Sequence, residues 1–313
     1  DVEAPVVSCP VPLSSYSTDA NECNRTLSFV ATATDNCGVS SIVYSIGNNP
    51  VTFPYDFPVG STTVNAKATD VHGNISNCSF VVVVADNQYP VVTCPTPLNS
   101  YPADQDECSA ALSFSASASD NCGILTTMYS IGSSPITFPH DFPVGSTTVY
   151  VLVTDLNGNI SICSFVVTVV DNQAPVVTCP TPSNPYTADA GECNRTLSFT
   201  ATATDNCGVA STVHKVGGNP ISFPYDFPVG TTTVSVLVTD IQGNTATCTY
   251  MVTVNDSEPP VVTCPTPMNP YPTDAGQCNS TLSLPASSSD NCGVAGTVYT
   301  VSGLPIVFPY DFP

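Results

Sequence analysis

Apolar and polar residues alternate along this chain in short runs separated by turn residues. Thr26–Thr34 reads TLSFVATAT, Thr62–Thr69 reads TTVNAKAT, and Cys78–Val84 reads CSFVVVV. A period of two, with many β-branched side chains, predicts strands. Pro, Gly and Asn break the runs, as in NNP at 48–50, FPVG at 57–60 and HGN at 72–74. No window offers a helix. Six or seven short strands per 85 residues predict an all-β chain built of two-sheet sandwiches of the immunoglobulin or fibronectin III kind.

The pattern is written four times. Asp35-Asn36-Cys37-Gly38 returns at Asp120, Asp205 and Asp290, always 85 residues on. Three cysteine classes keep the same spacing: Cys9, Cys94, Cys179, Cys264; Cys23, Cys108, Cys193, Cys278; and Cys37, Cys122, Cys207, Cys292. The fourth class is Cys78, Cys163 and Cys248. A fixed period of this length marks tandem small domains, each with its own core. The expected division is 1–85, 86–170, 171–255 and an incomplete 256–313. Asp86-Asn-Gln-Tyr-Pro and Asp171-Asn-Gln-Ala-Pro form the junctions, and proline without a Gly/Ser spacer predicts short, stiff linkers.

Composition narrows the class. There are 25 acidic and only 4 basic side chains, a formal charge of −21. Such a chain repels phosphate backbones and anionic surfaces, which argues against nucleic-acid partners. No apolar run is long enough for a membrane helix, and no signal peptide is visible, so a mature or internal segment without direct membrane insertion is expected. Fifteen cysteines at regular spacing predict disulfides and an oxidising, extracellular setting. Zinc is disfavoured: there is no CxxC, and His72, His140 and His214 occupy three different repeat positions.

Several of these residues carry a family likeness. Cys9-Pro10, the Asp35–Gly38 turn, Phe57-Pro58-Val59-Gly60, Thr62-Thr63-Val64, Thr69-Asp70 before Gly73-Asn74, and Cys78-Ser79-Phe80-Val81 together resemble the hyalin repeat (HYR) domain. The resemblance implies an immunoglobulin-like extracellular module used in adhesion and matrix, without catalysis. FPYDFP at 53–58 departs from it, because a single FP is expected there. So does the regular four-cysteine pattern.

Strand length suggests a pairing within each repeat. A nine-residue strand between Cys23 and Cys37 spans roughly 30 Å, far more than the ~6 Å between Cα atoms that a disulfide allows. The expectation is Cys9–Cys23 with Cys37–Cys78. Its equivalents are Cys94–Cys108, Cys122–Cys163, Cys179–Cys193, Cys207–Cys248 and Cys264–Cys278, leaving Cys292 unpaired. The rival, Cys9–Cys78 with Cys23–Cys37, needs that strand to be broken.

Asp35, Asp70 and Asp86 recur as Asp120, Asp155, Asp171, Asp205, Asp240 and Asp256. Carboxylates near domain junctions are candidates for structural Ca²⁺; they also cap turns, and both readings stay open. Paired carboxylates could suggest a glycosidase, but every candidate is repeated, Trp is absent and Glu is confined to Glu3, Glu22, Glu107, Glu192 and Glu258. No repeat position keeps a histidine for a Ser-His-Asp arrangement. Sequons stand at Asn24, Asn74, Asn77, Asn159, Asn194, Asn255 and Asn279, acceptors for N-linked glycans on a eukaryotic secretory route. Abundant Ser, Thr and Pro also permit O-linked sugars. Tyr16, Tyr101, Tyr186 and Tyr271, and Tyr55, Tyr225 and Tyr310, are read as packing the sandwich edges or as a patch repeated for lateral assembly.

The function expected from all this is a glycosylated structural subunit of an extracellular fibre, self-associating and regular as a rod. The alternative is the stalk of a cell-surface adhesin. Repeat 4 lacks the segment equivalent to Val229–Val254, so its edge is expected to be completed by continuation of the chain or by strands lent from another subunit.

Overall fold

The computed structural model describes residues 1–313. It contains 33 strands and no helix. The chain divides into two compact units, Asp1–Val170 and Asp171–Pro313.

In the first unit, repeat 1 contains β1 (Val6–Ser8), β2 (Tyr16–Ser17), β3 (Asn24–Leu27), β4 (Thr32–Thr34), β5 (Val39–Ile46), β6 (Asn49–Val51), β7 (Tyr55–Pro58), β8 (Gly60–Asp70) and β9 (Ile75–Ala85). One sheet has five strands in the order β2-β9-β8-β5-β6. Only β2 runs parallel to its neighbour. Two short antiparallel pairs, β1 with β4 and β3 with β7, complete the sandwich. The same order returns in repeat 2, with Gly145–Asp155 and Ile160–Val170 as its long central strands.

The TLSFVATAT run is two strands rather than one. β3 pairs with β7 and β4 with β1, so the chain changes partner between them. At this crossing Phe29 points inward, Val30 is exposed and Ala31 is buried. Phe29 lies at the centre of the aromatic packing, 5.2 to 6.2 Å from the rings of Tyr16, Phe53, Phe57 and Phe80. Phe53 and Phe57 stack with centroids 6.2 Å apart, which accounts for the doubled FPYDFP: both phenylalanines are core residues. Tyr55 lies edge-on to Phe57.

Inward positions follow the period of two. On β8 they are Val64, Ala66, Ala68 and Asp70, and on β9 Phe80, Val82 and Val84, all buried. Counting back from Phe80 by two brings Cys78 to the inner face. There it is bonded across the sandwich to Cys9, with Cα atoms 5.9 Å apart.

The second unit repeats this plan over residues 171–255, around Phe227, Val234, Val236, Val238, Val252 and Val254. Its remaining residues, 256–313, form three two-stranded pairs: 261–263 with 287–289, 280–282 with 310–312, and 299–301 with 304–306. No residue in this stretch is buried.

Candidate functional site

The most constructed place in the molecule is where one repeat meets the next. It is built from the Asp-Asn-Cys-Gly turn. Asp35 Oδ1 accepts the N–H groups of Cys37 and Gly38 at 2.9 and 3.0 Å. Gly38 has φ +111°, a left-handed conformation that L side chains avoid, which fixes glycine at the end of the motif. Its carbonyl accepts the N–H of Val71, and so holds this turn beside the β8–β9 hairpin.

That hairpin turn is organised by Asp70, whose Oδ1 accepts from His72 N and Asn74 N and whose Oδ2 accepts from Asn74 Nδ2. Asp155 does the same with Asn157 and Asn159, and Asp240 with Gly243 and Asn244. Burial pushes these three carboxyls up, but the hydrogen bonds from the Asn side chain and the turn backbone outweigh it. All three sit below the ordinary carboxylate value of 3.8. Capping is therefore a real role of these aspartates.

In the first unit the second repeat seats its turn on the first. Asn121 Nδ2 donates to Glu22 O at 2.8 Å and to Asp86 Oδ1 at 3.2 Å. Next to it, Cys122 is bonded to Cys23, with Cα atoms 4.7 Å apart. Gln88 reaches back to repeat 1, donating to Thr18 Oγ1 and Asp19 O and accepting from Asn21 N. Asn157 and Asn159 of repeat 2 grip the Asp86 carboxylate and carbonyl. The linker is held from both sides. In the second unit, Cys193–Cys292 and Asn291 on the Glu192 carbonyl reproduce this arrangement.

These bonds overturn the pairing expected from strand length. Cys9, Cys94 and Cys179 join Cys78, Cys163 and Cys248 of their own repeats, not Cys23, Cys108 and Cys193. The second and third cysteine classes do not pair inside a repeat: Cys23 takes Cys122 and Cys193 takes Cys292, each 99 residues away. Cys108 and Cys207 are disulfide-bonded as well. Cys37, Cys264 and Cys278, expected in bridges, are free and exposed, while Cys292, expected to be unpaired, is bonded. The physical reason is that Cys78 lies on an inner strand face instead of a sandwich end, and that the turns carrying Cys122 and Cys292 face the preceding repeat of their unit.

The aspartates regroup in the same way. Asp86 does not join Asp35 and Asp70; it stands with Asp120 and Asp155 of repeat 2. Asp171, Asp205 and Asp240 form an equivalent trio, Asp35 and Asp70 are joined by Asp1, and Asp256 lies with Asp290 and Cys292. In each group one such atom from every residue, a carboxylate oxygen or the Cys292 sulfur, lies within 4.8 Å of the others. Asp86, Asp171 and Asp256 thus each group with the repeat that they open, not with the Asp35- and Asp70-type residues of the repeat before. Asp56, also repeated, has a purely local role: its Oδ1 accepts from Thr26 Oγ1 across β3–β7 at 2.7 Å.

The sequons differ in accessibility. Asn77 and Asn255 are exposed, while Asn24, Asn194 and Asn279 are half-buried. Asn74 and Asn159 spend their side-chain amides inside the hairpin turns, on Asp70 and Asp155. The recurring tyrosines pack: the hydroxyls of Tyr16, Tyr101 and Tyr186 accept the N–H groups of Leu13, Leu98 and Ser183.

The family model for the HYR domain matches residues 1–84, 85–169 and 170–254. Hyalin of Lytechinus variegatus is 34% identical over 276 residues, covering 84% of this chain and 49% of the relative. Hyalin of Strongylocentrotus purpuratus is 35% identical over 248 residues, 74% of this chain and 19% of the relative. The mouse sushi, von Willebrand factor type A, EGF and pentraxin domain-containing protein 1 is 31% identical over 196 residues, 60% of this chain and 5% of the relative. The chain thus spans at most about half the length of these relatives. Among solved structures, Sidekick-1 immunoglobulin domains 1–5 align with a TM-score of 0.35 at 13% identity, over 82% of this chain and 60% of that one. The three matched segments cover more than half of the sequence, and the chain belongs to the HYR domain family.

Proposed function

We propose that this chain is a structural subunit of an extracellular fibre, in which HYR repeats are joined covalently as well as through the backbone. The observation that carries the reading is the pair of inter-repeat disulfides, Cys23–Cys122 and Cys193–Cys292. A bridge across a domain junction limits bending and separation of neighbouring repeats, which is the requirement of a load-bearing element and of no small-molecule site. Such bridges persist in oxidising surroundings, which supports an extracellular location.

Self-association has a candidate surface. On the outer face of the repeat 2 sheet, Met128 pairs with Leu152 and Leu152 with Ile162, an apolar row flanked by exposed Tyr150 and Ile160. Exposed apolar rows of this kind favour lateral packing. N-linked or O-linked glycans would cover other outward positions, with Asn77 and Asn255 the most accessible acceptors. The stalk of an adhesin is a second reading, supported by the mouse relative, of which the matched region is 5%.

Electron microscopy of the purified chain tests the proposal. Filaments forming without cells or other proteins are expected. A chain that stays monomeric at high concentration, yet binds a cell surface as an isolated repeat pair, would replace the fibre with the stalk.

A further inference from the structure

We propose that Asp171, Asp205 and Asp240 form a Ca²⁺ site that locks the start of repeat 3 to its two end turns. Asp171 is 4% exposed and Asp240 1% exposed. Their carboxylate oxygens and that of Asp205 lie within 4.8 Å of one another. That separation is about twice a Ca²⁺–oxygen bond of roughly 2.4 Å, so one ion can touch all three. Mg²⁺, with bonds of about 2.1 Å and a demand for octahedral geometry, spans less.

The hydrogen bonds on these side chains leave oxygens over for a cation. Asp205 Oδ1 caps its turn through Cys207 N and Gly208 N, while Asp205 Oδ2 is buried without a partner. Asp171 Oδ1 accepts from Gln173 N and Asn206 Nδ2, while Asp171 Oδ2 is also buried without a partner. In the first unit Asp86 Oδ2 accepts the Asn157 amide; residue 242 is glutamine where 157 is asparagine, and the equivalent oxygen of Asp171 is left bare.

No basic side chain compensates the trio. The chain's two ion pairs are Arg25–Asp19 and Arg195–Asp189, and neither reaches this cluster. Three close carboxylates, two of them almost wholly buried and two with an orphaned oxygen, are the arrangement that a hard divalent cation relieves.

The test is native mass spectrometry of the full, oxidised chain titrated with Ca²⁺ or Mg²⁺, alongside Asp205→Asn. The asparagine oxygen can still accept from Cys207 N and Gly208 N, so the turn is kept while the charge is lost. Wild type is expected to hold one Ca²⁺ more than the variant, with affinity at this site at least tenfold lower after substitution. Equal Ca²⁺ occupancy in the two chains overturns the proposal, as does equal preference for Mg²⁺. Hydrogen exchange on the wild type alone guards against a misfolded variant. Ca²⁺ should protect the amides of Cys207, Gly208 and Asn244, and no change at these positions refutes the site. The inference goes beyond the fibre reading: a chain that binds Ca²⁺ but stays monomeric would keep one and sink the other.

Discussion

Removing the bridge inside one sandwich should cost that repeat a large part of its stability. In repeat 2 the change is Cys94→Ser together with Cys163→Ser. The bridge closes a loop with a sequence separation of 69, for which chain entropy gives about 4.4 kcal/mol at 25 °C. A repeat of this size has a total stability of about 4–13 kcal/mol, taken at 0.05–0.15 kcal/mol per residue. The loss is thus at least a third of the whole. With an unfolding entropy of about 0.18 kcal/mol per kelvin for such a repeat, the melting transition of repeat 2 should drop by about 20–25 °C. Calorimetry of the full chain reads the shift, and hydrogen exchange of peptides from Gly145–Asp155 assigns it to repeat 2. A drop under 5 °C, or a Cys94–Cys108 linked peptide from the unreduced wild type, would refute the reasoning.

Three further outcomes are expected. Repeat 3 should be the acid-sensitive one. His214 stands where repeats 1 and 2 have Tyr44 and Tyr129, beside Phe223 and with its Nδ1 3.4 Å from the Tyr250 hydroxyl. Burial lowers its pKa below 6.5, so its contribution is complete above pH 6.5 and is lost as the pH falls through the lowered value. Urea unfolding at pH 7 and pH 5 should show repeat 3 weakening, and His214→Tyr with Tyr250→Phe should abolish the difference. In material from a eukaryotic host, enzymatic deglycosylation should convert Asn77 and Asn255 to Asp but leave Asn159, whose amide is held by Asp155; a fully occupied Asn159 would contradict this. Alkylation of the native 313-residue chain should label Cys37, Cys264 and Cys278, with labelling of Cys78 counting against the cross-sandwich bridge.

Strand alternation, the 85-residue period and the family likeness were legible from the sequence because each depends on local order. β8 and β9 appear where TTVNAKAT and CSFVVVV lie, slightly longer at both ends. The disulfide partners were not legible from a single repeat. The strand-length estimate compared cysteines within one domain, and the rule it used does not see a partner 99 residues away. The break between β3 and β4 also removed its premise. The count gave no help: pairing within repeats leaves one cysteine over, Cys292, while the observed pairing leaves three, Cys37, Cys264 and Cys278. The aspartates misled for a related reason. Asp86 was grouped with Asp35 and Asp70 of repeat 1, yet its carboxylate lies with Asp120 and Asp155 and accepts from Asn121 and Asn157 of repeat 2, the repeat that it opens. Asp35 and Asp70 were open to two readings, and the turn-capping one is met by Oδ1 in both cases.

The Cys23–Cys122 bond has a mechanical consequence. When the first unit is pulled along its backbone, tension arriving at Cys23 crosses the sulfur–sulfur bond directly to Cys122. Everything between those residues, most of repeat 1 and the first part of repeat 2, is bypassed by the force. Those strands could lose their fold without lengthening the molecule, because the slack they release is trapped inside a covalent ring. Extensibility then depends on the redox state of the surroundings: reduction opens the ring and frees the stored contour length, while an oxidising medium keeps the tether short.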